Sequence, residues 1–508
     1  MLHCCRLIRL ACIGLACMAW GPTSLTGPAQ ADEITYRDDD NKVITTQARL
    51  LPAPPGIQLL ERWDGQIQIL DPSAILDRRN TGDPDPITCR KMGERLQQLF
   101  TGIFGPDRVR LEIQEPVVTC LVLSAPLAPK AESAATLFSR KAVRFMINVS
   151  DVFEKYARTM DFPLRDFRFP VVLIIFESDS DFDTYYQVTS SGNSLSATSV
   201  LGFYSSTTNW LTVRMSSCDS FAVPLHEAIH LQMSNRVLQR LAPIPRWYAE
   251  GIANAFEGNG ERIDSSPGKV NADYVQRAQG TPPGRSWSDI LGEDESFMTD
   301  VVAGEAYTLA WCLHWMTSTQ NKEGYKRYVQ ALAERKPLEK VSSRQDAELF
   351  EKCFGQSMSQ IQADFPRVIA SAVRRQKVTI TDPATRQETE QQALCQYNIS
   401  VTKLGNGILL ATGSARNLCP FRDMTFYLTI ESDGGQFADL LLADLRPRQM
   451  QRLKNMPLMK AIPGMPQQQG STYRVYVRGV PADSEEAAAW KAGRLPGPVQ
   501  ADRGRTGR

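Results

Sequence analysis

The chain has 508 residues, of which 42% are hydrophobic and 22% are charged. These proportions are typical of a folded protein with a substantial core, and they exclude a wholly disordered chain. The 57 lysine and arginine residues are balanced by 56 aspartate and glutamate residues, which argues against a protein that binds nucleic acid.

The first 31 residues have the pattern of a secretory signal peptide. Arg6 and Arg9 give a positive start, residues 10–20 are apolar, and Ala29-Gln30-Ala31 is a small-x-small cleavage site. A buried first helix is the alternative interpretation, and lipid attachment at an early cysteine fits the residues poorly. No other apolar run reaches the roughly 18 residues that span a membrane. The sequence therefore predicts an exported protein, periplasmic or extracellular, with no transmembrane segment after signal cleavage.

Seven cysteines follow the predicted signal peptide. An exported protein can keep disulfide bonds, and an odd number leaves at least one thiol without a partner in the same chain. Cys89 with Cys120, and Cys395 with Cys419, are candidate local bridges. A buried free thiol is an equally good interpretation of each cysteine.

The N-terminal half alternates strands and helices. Residues 32–133 are predicted as an α/β module with short alternating strands and a helix over 88–100. Residues 134–160 carry apolar side chains at three- and four-residue steps, which predicts a long amphipathic helix. The continuous apolar run 171–176 favours a buried strand. Residues 201–215 are predicted as a hairpin.

Helices dominate the next part of the chain, and strands return after about residue 377. The segment 257–302 is rich in Gly, Pro and Asp and is predicted as loop. Residues 376–494 are predicted as a β-rich domain, in which Val378–Ile380 is the first strand. Residues 495–508 are predicted as a disordered tail. The predicted helices are 222–235, 245–256, 303–318, 322–335, 345–354 and 357–373.

The motif H-E-x-x-H occupies residues 226–230 at the start of the first of these helices. Residues four apart in a helix lie about 40° apart around its axis, so His226 and His230 present two imidazoles to one point, as a zinc ion requires. Glu227 can reach a water molecule there without binding the metal. Two ordinary helix histidines are the alternative, but only three histidines follow the signal, so this register is rare by chance.

A structural or catalytic zinc ion needs at least a third protein ligand. Glu250 follows Trp247 by one helical turn, and Pro245 can begin that helix. It lies twenty residues after His230, which is enough for one helix to end and the next to return. Gly251 would let two helices approach closely. Taken alone Glu250 would be a solvated carboxylate, but together with the motif it is predicted as the third ligand.

H-E-x-x-H followed by W-x-x-E-G resembles the gluzincin zinc metallopeptidases, and more closely the "peptidase MA-like" group of bacterial exported domains. The strand 171–176, the run Gly202–Trp210 and the helix with Tyr307 are further shared features, and the resemblance covers about 135–373. It implies an α+β fold with a thermolysin-like zincin domain over 134–375, consisting of a mixed sheet and active-site helices. The N-terminal α/β module and the C-terminal β-rich domain flank it.

The resemblance also implies roles for the residues of the motif. His226, His230 and Glu250 would bind one zinc ion, and Glu227 would be the general base for a zinc-bound water that hydrolyses a peptide bond. The sequence departs from the metzincin pattern, because Arg236 stands where that pattern has a third histidine.

Three further features keep two interpretations each. Tyr307 is a weaker candidate for stabilising the oxyanion, and a packed helix tyrosine is the interpretation that its neighbours favour. His314 lies in an apolar helix and is predicted as a core histidine rather than a ligand. The strand 211–215 is either a sheet edge that pairs with an extended substrate or an ordinary internal strand.

The sequence therefore predicts an exported zinc metallopeptidase that acts on peptide or protein substrates. One alternative is a non-catalytic, metal-containing binding or scaffold protein of the cell envelope, whose flanking modules carry the function. Another is a zinc amidase that acts on cell-wall peptides.

Overall fold

The computed structural model describes residues 31–38, 40–82, 85–189, 200–257, 263, 267–280, 286–292, 294–297, 303–380, 389–404, 408–432, 437–458 and 473–496. The predicted signal peptide, apart from Ala31, and the predicted tail from residue 497 onward lie outside these residues. Within them the fold is mixed α plus β with four sheets. No helix in these ranges is both long enough and apolar enough to cross a membrane.

The N-terminal sheet is antiparallel, with the order β4-β3-β2-β1-β5. Ile34 and Tyr36 lie two residues apart on β1, so they point to the same face, where they pack with Ala48 and Leu60. This small core belongs to the sheet alone. The strands are β1 Ala31–Arg37, β2 Val43–Leu51, β3 Gln58–Arg62, β4 Ile67–Leu70 and β5 Ile75–Asn80.

The central sheet has the order β6-β7-β8-β10-β9, in which β7, β8 and β10 are parallel and both outer strands are antiparallel. Its strands are β6 Val109–Gln114, β7 Val117–Val122, β8 Val171–Phe176, β9 Gly202–Tyr204 and β10 Trp210–Arg214. β8 is buried along its whole length, which confirms the strand predicted from its continuous apolar run.

Helices cover both faces of this sheet. Leu173 and Ile175 of β8 belong to the core that contains α2 and α4, whereas Ile174 and Phe176 belong to the core that contains α1 and α3. Successive side chains of β8 therefore pack against different helical layers, one on each face of the sheet. The helices are α1 Cys89–Phe104, α2 Pro129–Thr159, α3 Asp179–Thr189 and α4 Ala222–Arg236.

The sequence interpretation placed all of residues 32–133 in one module. In the structure these residues belong to two different sheets and their layers. The structure places α1, β6 and β7 in the layers of the central sheet, because β7 pairs with β8 in parallel across the intervening α2. The β1–β5 sheet is the part of that segment that stands apart.

Among the described residues, seven further helices lie between α4 and the C-terminal strands, and they include the five others predicted from periodicity. The segment 257–302 also contains α6 and α7, so its prediction as loop is wrong for these parts. Both short helices are held by aromatic packing, with Tyr274 stacked on Trp311 at 5.4 Å and Trp287 against Phe365 at 5.3 Å between ring centroids. The helices are α5 Arg246–Phe256, α6 Ala272–Gly280, α7 Trp287–Leu291, α8 Ala303–Gln320, α9 Lys322–Ala333, α10 Ser343–Phe354 and α11 Met358–Gln376.

The C-terminal part is β-rich, as predicted, with two sheets in the orders β11-β12-β13-β16 and β15-β14-β17. The predicted strand at Val378–Ile380 is absent, because α11 continues to Gln376 and leaves these residues without regular structure. The elements are β11 Glu390–Gln392, β12 Cys395–Lys403, β13 Leu409–Asn417, β14 Met424–Ser432, β15 Phe437–Leu445, β16 Met450–Pro457, β17 Tyr473–Pro481 and α12 Glu485–Lys491.

All seven cysteines that follow the predicted signal are buried free thiols. The candidate bridges Cys89–Cys120 and Cys395–Cys419 are therefore not formed. Each thiol packs as a small apolar side chain in a core, and burial raises the pKa of the Cys395 thiol to about 12. The alternative interpretation of these cysteines, as buried free thiols, is therefore the correct one.

At Gly251, α5 packs directly against the backbone of α8. A Cβ atom there would lie 2.6 Å from the Ala310 carbonyl oxygen and 2.8 Å from His314 Cβ. We expect Gly251→Ala to lower the free energy of unfolding by about 1–3 kcal/mol, because the backbone of α8 cannot yield as a side chain would. Chemical denaturation measures this. Gly304→Ala on α8 is the control, since its Cβ would meet nothing within 4 Å. Equal losses in both variants would contradict the packing argument.

Candidate metal centre

Three predicted ligands converge between α4 and α5. Nε2 of His226 lies 3.0 Å from Oε2 of Glu250 and 3.1 Å from Nε2 of His230. Nε2 of His230 lies 3.5 Å from the same carboxylate oxygen. One ligand atom from each residue thus lies within 4.8 Å of the others, so the group could hold a metal ion.

The packing of the two helices produces this convergence. On α4, Leu225, Ala228 and Ile229 are fully buried, which directs the two histidines to the opposite side of the helix. On α5, Trp247 stacks on Tyr328 with 5.5 Å between ring centroids. Because Glu250 follows Trp247 by one turn, this contact sets the position of its carboxylate.

The donor set suits zinc. Nδ1 of His226 lies 2.7 Å from Oε1 of Glu257. A carboxylate only accepts, so Nδ1 carries a proton and Nε2 is left to face the group. Burial alone would lower the pKa of His226, but its bonds to Glu250 and Glu257 hold that pKa well above the usual value. A cation would displace the extra proton from Nε2. Two imidazoles with one carboxylate are a usual ligand set for catalytic zinc.

The electrostatics of Glu250 agree with this role. Burial raises the pKa of its carboxyl, but the neighbouring imidazoles of His230 and His226 outweigh burial and hold it well below the usual range. The carboxylate is therefore ionised and ready to bind a cation.

Glu257 is a residue of this site that the sequence analysis missed. It lies at the C-cap of α5, seven residues after Glu250, so the two carboxylates lie on the same side, two turns apart. Its Oε2 accepts a hydrogen bond of 2.5 Å from the Tyr274 hydroxyl of α6. That spacing from Glu250 is the only sequence signal that could have indicated it.

We expect Glu257→Gln to weaken zinc binding about ten-fold, the lower end of the range for residues that orient a ligand, because the amide keeps the shape but loses the charge that fixes the His226 ring. Competition against a chromogenic chelator measures the affinity. Glu348→Gln, on the exposed face of α10, is the matched control. Unchanged affinity in Glu257→Gln would show that Glu257 does not orient the ligand.

Glu227 lies beside the group without joining it. Its Oε2 accepts a hydrogen bond of 2.9 Å from the backbone N–H of Tyr204. Burial raises the pKa of this carboxyl, and the nearby His230 and His226 oppose part of that rise. The carboxylate is thus fixed in orientation and more basic than an exposed glutamate.

The strand beside Glu227 is β9, and the sheet order decides between the two interpretations of 211–215 in favour of an ordinary internal strand. β10 lies between β8 and β9, so it is an internal strand, and β9 is the edge. Asn209 Oδ1 accepts hydrogen bonds of 2.8 Å from both the Tyr204 hydroxyl and Asn235 Nδ2. These hydrogen bonds connect the edge strand β9 to α4.

Tyr307 lies next to the group, whereas His314 is separate from it. The Tyr307 and His226 ring centroids are 6.3 Å apart, and Asn254 Nδ2 donates to the Tyr307 carbonyl oxygen at 2.9 Å. Burial and the carboxylates of Glu250 and Glu227 raise the pKa of Tyr307, so it keeps its proton. His314 is fully buried, bonds the Tyr325 hydroxyl at 2.7 Å and has a pKa of about 3 because of burial. It is a core histidine, as its sequence context predicted.

The three predicted ligands, Glu227 and Tyr307 face one cleft of about 370 Å³. That volume is in the range of sites that take small ligands or a few residues of a peptide. The residues in its lining that could take part in chemistry include Arg246 as well as Tyr204, His226, Glu227, His230, Glu250 and Tyr307.

Comparisons with known proteins add little to this geometry. Residues 220–339 match the model of a family described as "Protein of unknown function (DUF1570)". No curated protein matches the chain. Among solved structures, the ZmpB metallopeptidase from Clostridium perfringens is similar with 9% identity and a TM-score of 0.29, over 90% of this chain and 89% of that chain. A similarity at that score carries no argument about fold or function.

Proposed function

We propose that the protein is a zinc-dependent metallopeptidase of the thermolysin-like, gluzincin type. The observation that carries the proposal is the convergence of His226, His230 and Glu250 on one point, beside a fixed carboxylate, Glu227, in an open cleft. The predicted signal peptide extends the proposal to an exported enzyme.

The contacts of each residue suggest its role in the reaction. His226, His230 and Glu250 would hold the ion, and Glu257 keeps the His226 ring in place. A bound zinc ion would supply Lewis acidity toward a carbonyl oxygen and toward water. The Tyr204 N–H occupies Oε2 of Glu227, so we assign proton transfer to Oε1. This oxygen accepts a proton from the attacking water and passes it to the leaving amine.

A side chain, Tyr307, and an edge strand, β9, would also contact the substrate. Tyr307 keeps its proton and lies beside His226, so it can donate a hydrogen bond to the oxyanion. β9 ends the central sheet at the cleft, and an extended peptide can add to such an edge through main-chain hydrogen bonds. Both features favour a peptide as substrate.

The test is hydrolysis of unstructured peptides by the purified protein, followed by mass spectrometry. We expect cleavage that 1,10-phenanthroline abolishes and that added zinc restores, while the non-chelating 1,7-isomer has no effect. A folded, zinc-loaded protein that cleaves no peptide would overturn the proposal. In that case peptidoglycan fragments distinguish the cell-wall amidase alternative, which predicts their cleavage, from the non-catalytic scaffold, which does not.

A further inference from the structure

Tyr274 of α6 is a buried residue whose ring and hydroxyl make separate contacts. The residue is 6% exposed, and its ring stacks on Trp311 of α8 with 5.4 Å between the centroids and 12° between the planes. Its hydroxyl instead donates a hydrogen bond to Oε2 of Glu257, at the end of α5. The ring therefore joins α6 to α8, whereas the hydroxyl joins α6 to the surroundings of the metal centre.

The position of α6 is secured by contacts that do not involve this hydroxyl. Besides the stack on Trp311, the segment before α6 is bonded to two other helices. Trp315 Nε1 of α8 donates to the Gly268 carbonyl oxygen at 3.0 Å, and the Val270 N–H donates to Gln376 Oε1 of α11 at 2.9 Å. The packing of α6 therefore accounts for the ring of Tyr274 and leaves the hydroxyl to be explained.

The carboxylate of Glu257 has a donor on each of its two oxygens. Oε1 lies 2.7 Å from Nδ1 of His226, and Oε2 accepts from the Tyr274 hydroxyl at 2.5 Å. Glu257 is the C-cap of α5, and its side chain is 29% exposed. A partly exposed carboxylate at the end of a helix has several rotamers open to it. The hydroxyl therefore favours the one rotamer in which Oε1 faces the His226 ring.

Charge determines the direction of the bond between Tyr274 and Glu257. Burial and the negative charge of Glu257 raise the pKa of Tyr274, so the phenol keeps its proton. A carboxylate only accepts, so the hydroxyl is the donor. A hydrogen bond from a neutral hydroxyl to a carboxylate is charge-assisted and stronger than one between two neutral groups. This makes the Tyr274 hydroxyl an effective restraint on the orientation of the carboxylate.

We propose that Tyr274 is a positioning residue of the metal centre, which acts on the ion only through Glu257 and His226. Its hydroxyl fixes the Glu257 carboxylate, the carboxylate fixes the His226 ring, and the ring directs Nε2 toward the other two ligands. Partners of this kind hold the ligands of a metal in their binding orientation. This inference rests on the proposed function for the presence of the ion, but it does not require that any peptide is cleaved.

The first test is the zinc affinity of Tyr274→Phe, measured by competition against a chromogenic chelator with the full-length protein. Phenylalanine keeps the ring that stacks on Trp311 and removes only the hydroxyl, so circular dichroism should show a folded protein. We expect zinc to bind about three- to ten-fold more weakly, less than for a residue that touches a ligand directly. Tyr274→Met, which also lacks the donor, takes its place should the phenylalanine variant not fold.

Tyr476→Phe is the matched control. It removes a tyrosine hydroxyl on β17, in the C-terminal β-rich part of the chain, and should leave zinc affinity unchanged. A loss of affinity in both variants would show that the measurement responds to the loss of any hydroxyl, and it would overturn the role assigned to Tyr274.

A double-mutant cycle distinguishes positioning through Glu257 from a general structural role. Glu257→Ala removes the carboxylate on which the hydroxyl acts. In that background Tyr274→Phe should change zinc affinity by less than about two-fold, the scatter expected for residues that do not interact. A hydroxyl that only supports the packing of α6 would cost the same affinity with or without Glu257.

Replacement of zinc by Co²⁺ gives a readout of ligand geometry that does not depend on affinity. At saturating Co²⁺ the visible absorption bands report the coordination geometry of the ion. We expect these bands to change in Tyr274→Phe, because the His226 ring is no longer held in one orientation, and to stay unchanged in Tyr476→Phe. Identical spectra in all three proteins would contradict the positioning role.

The outcomes separate this inference from the proposed function. Unchanged zinc affinity in Tyr274→Phe, or an equal loss with and without Glu257, would overturn the positioning role even if the protein cleaves peptides. A zinc affinity that depends on Tyr274 through Glu257, in a protein that cleaves no peptide, would overturn the peptidase and leave the positioning role standing. A folded protein that binds neither zinc nor Co²⁺ would overturn both.

Discussion

Glu227→Gln is expected to lower kcat for peptide hydrolysis by about 10²- to 10⁴-fold, the contribution of a positioned general base. The amide cannot accept a proton from the attacking water. Glutamine has the shape of glutamate, so the hydrogen bond from the Tyr204 N–H to Oε2 has a counterpart in the side-chain carbonyl of the variant. The three ligand residues are untouched, and metal content should stay at the level of the unmodified protein.

The measurement pairs initial rates on a fluorogenic peptide with metal analysis of the same samples. Glu348→Gln, an exposed change of the same kind on α10, should leave both unchanged. An active Glu227→Gln variant would assign the proton transfer to another group. An inactive variant that has also lost its metal would mean that Glu227 supports the site rather than the reaction.

His230→Ala is expected to reduce bound zinc from about one ion per chain to a small fraction of that, because two of the three protein ligands remain. The loss also removes the imidazole that helps to keep Glu250 ionised in a buried position. Elemental analysis by mass spectrometry of the purified variant measures the zinc. Circular dichroism of the same sample establishes that the protein is folded.

His314→Gln is the matched control, since it removes the third histidine that follows the predicted signal. It breaks the hydrogen bond between His314 and the Tyr325 hydroxyl, so we expect a lower Tm. Zinc content should nevertheless stay near that of the unmodified protein. Equal loss of zinc in both variants would show that the metal depends on overall folding and not on the predicted ligands.

The convergence of the two histidines could be predicted from sequence because their arrangement is local. The four-residue spacing of His226 and His230 is fixed by the helix itself. Glu250 is on a second helix, and its assignment depended on its W-x-x-E-G context and on the chain length after His230. The seven-residue spacing places Glu257 on the same side of α5 as Glu250, but its contact with His226 depends on how the end of α5 packs against α4, which the spacing does not specify.

Sheet order was the part of the fold that local patterns did not determine. The hairpin of β9 and β10 was predicted, but its position in the sheet depends on β10 pairing with β8, more than thirty residues earlier. In the same way, the pairing of β7 with β8 crosses the whole of α2. Alternation in a strand predicts which face is buried and does not specify the neighbouring strand.

The helix that carries the metal motif is anchored from outside at both ends. Just before α4, Asp219 forms ion pairs with Arg416 of β13 and with Arg448, which lies between β15 and β16. Just after α4, Arg240 donates to the Gly65 carbonyl oxygen of the N-terminal sheet. The N-terminal sheet and the C-terminal β-rich part therefore both contribute to where the helix lies.

The borders of the recognised family segment are consequently not the borders of a working unit. A fragment limited to residues 220–339 would keep His226, His230 and Glu250 but lose the Tyr204 N–H that orients Glu227. It would also lose the β strands against which α4 packs. Removing either end of the protein to obtain a smaller version would release one end of the helix that carries the H-E-x-x-H motif, so any shortening has to be made in loops within the intact chain.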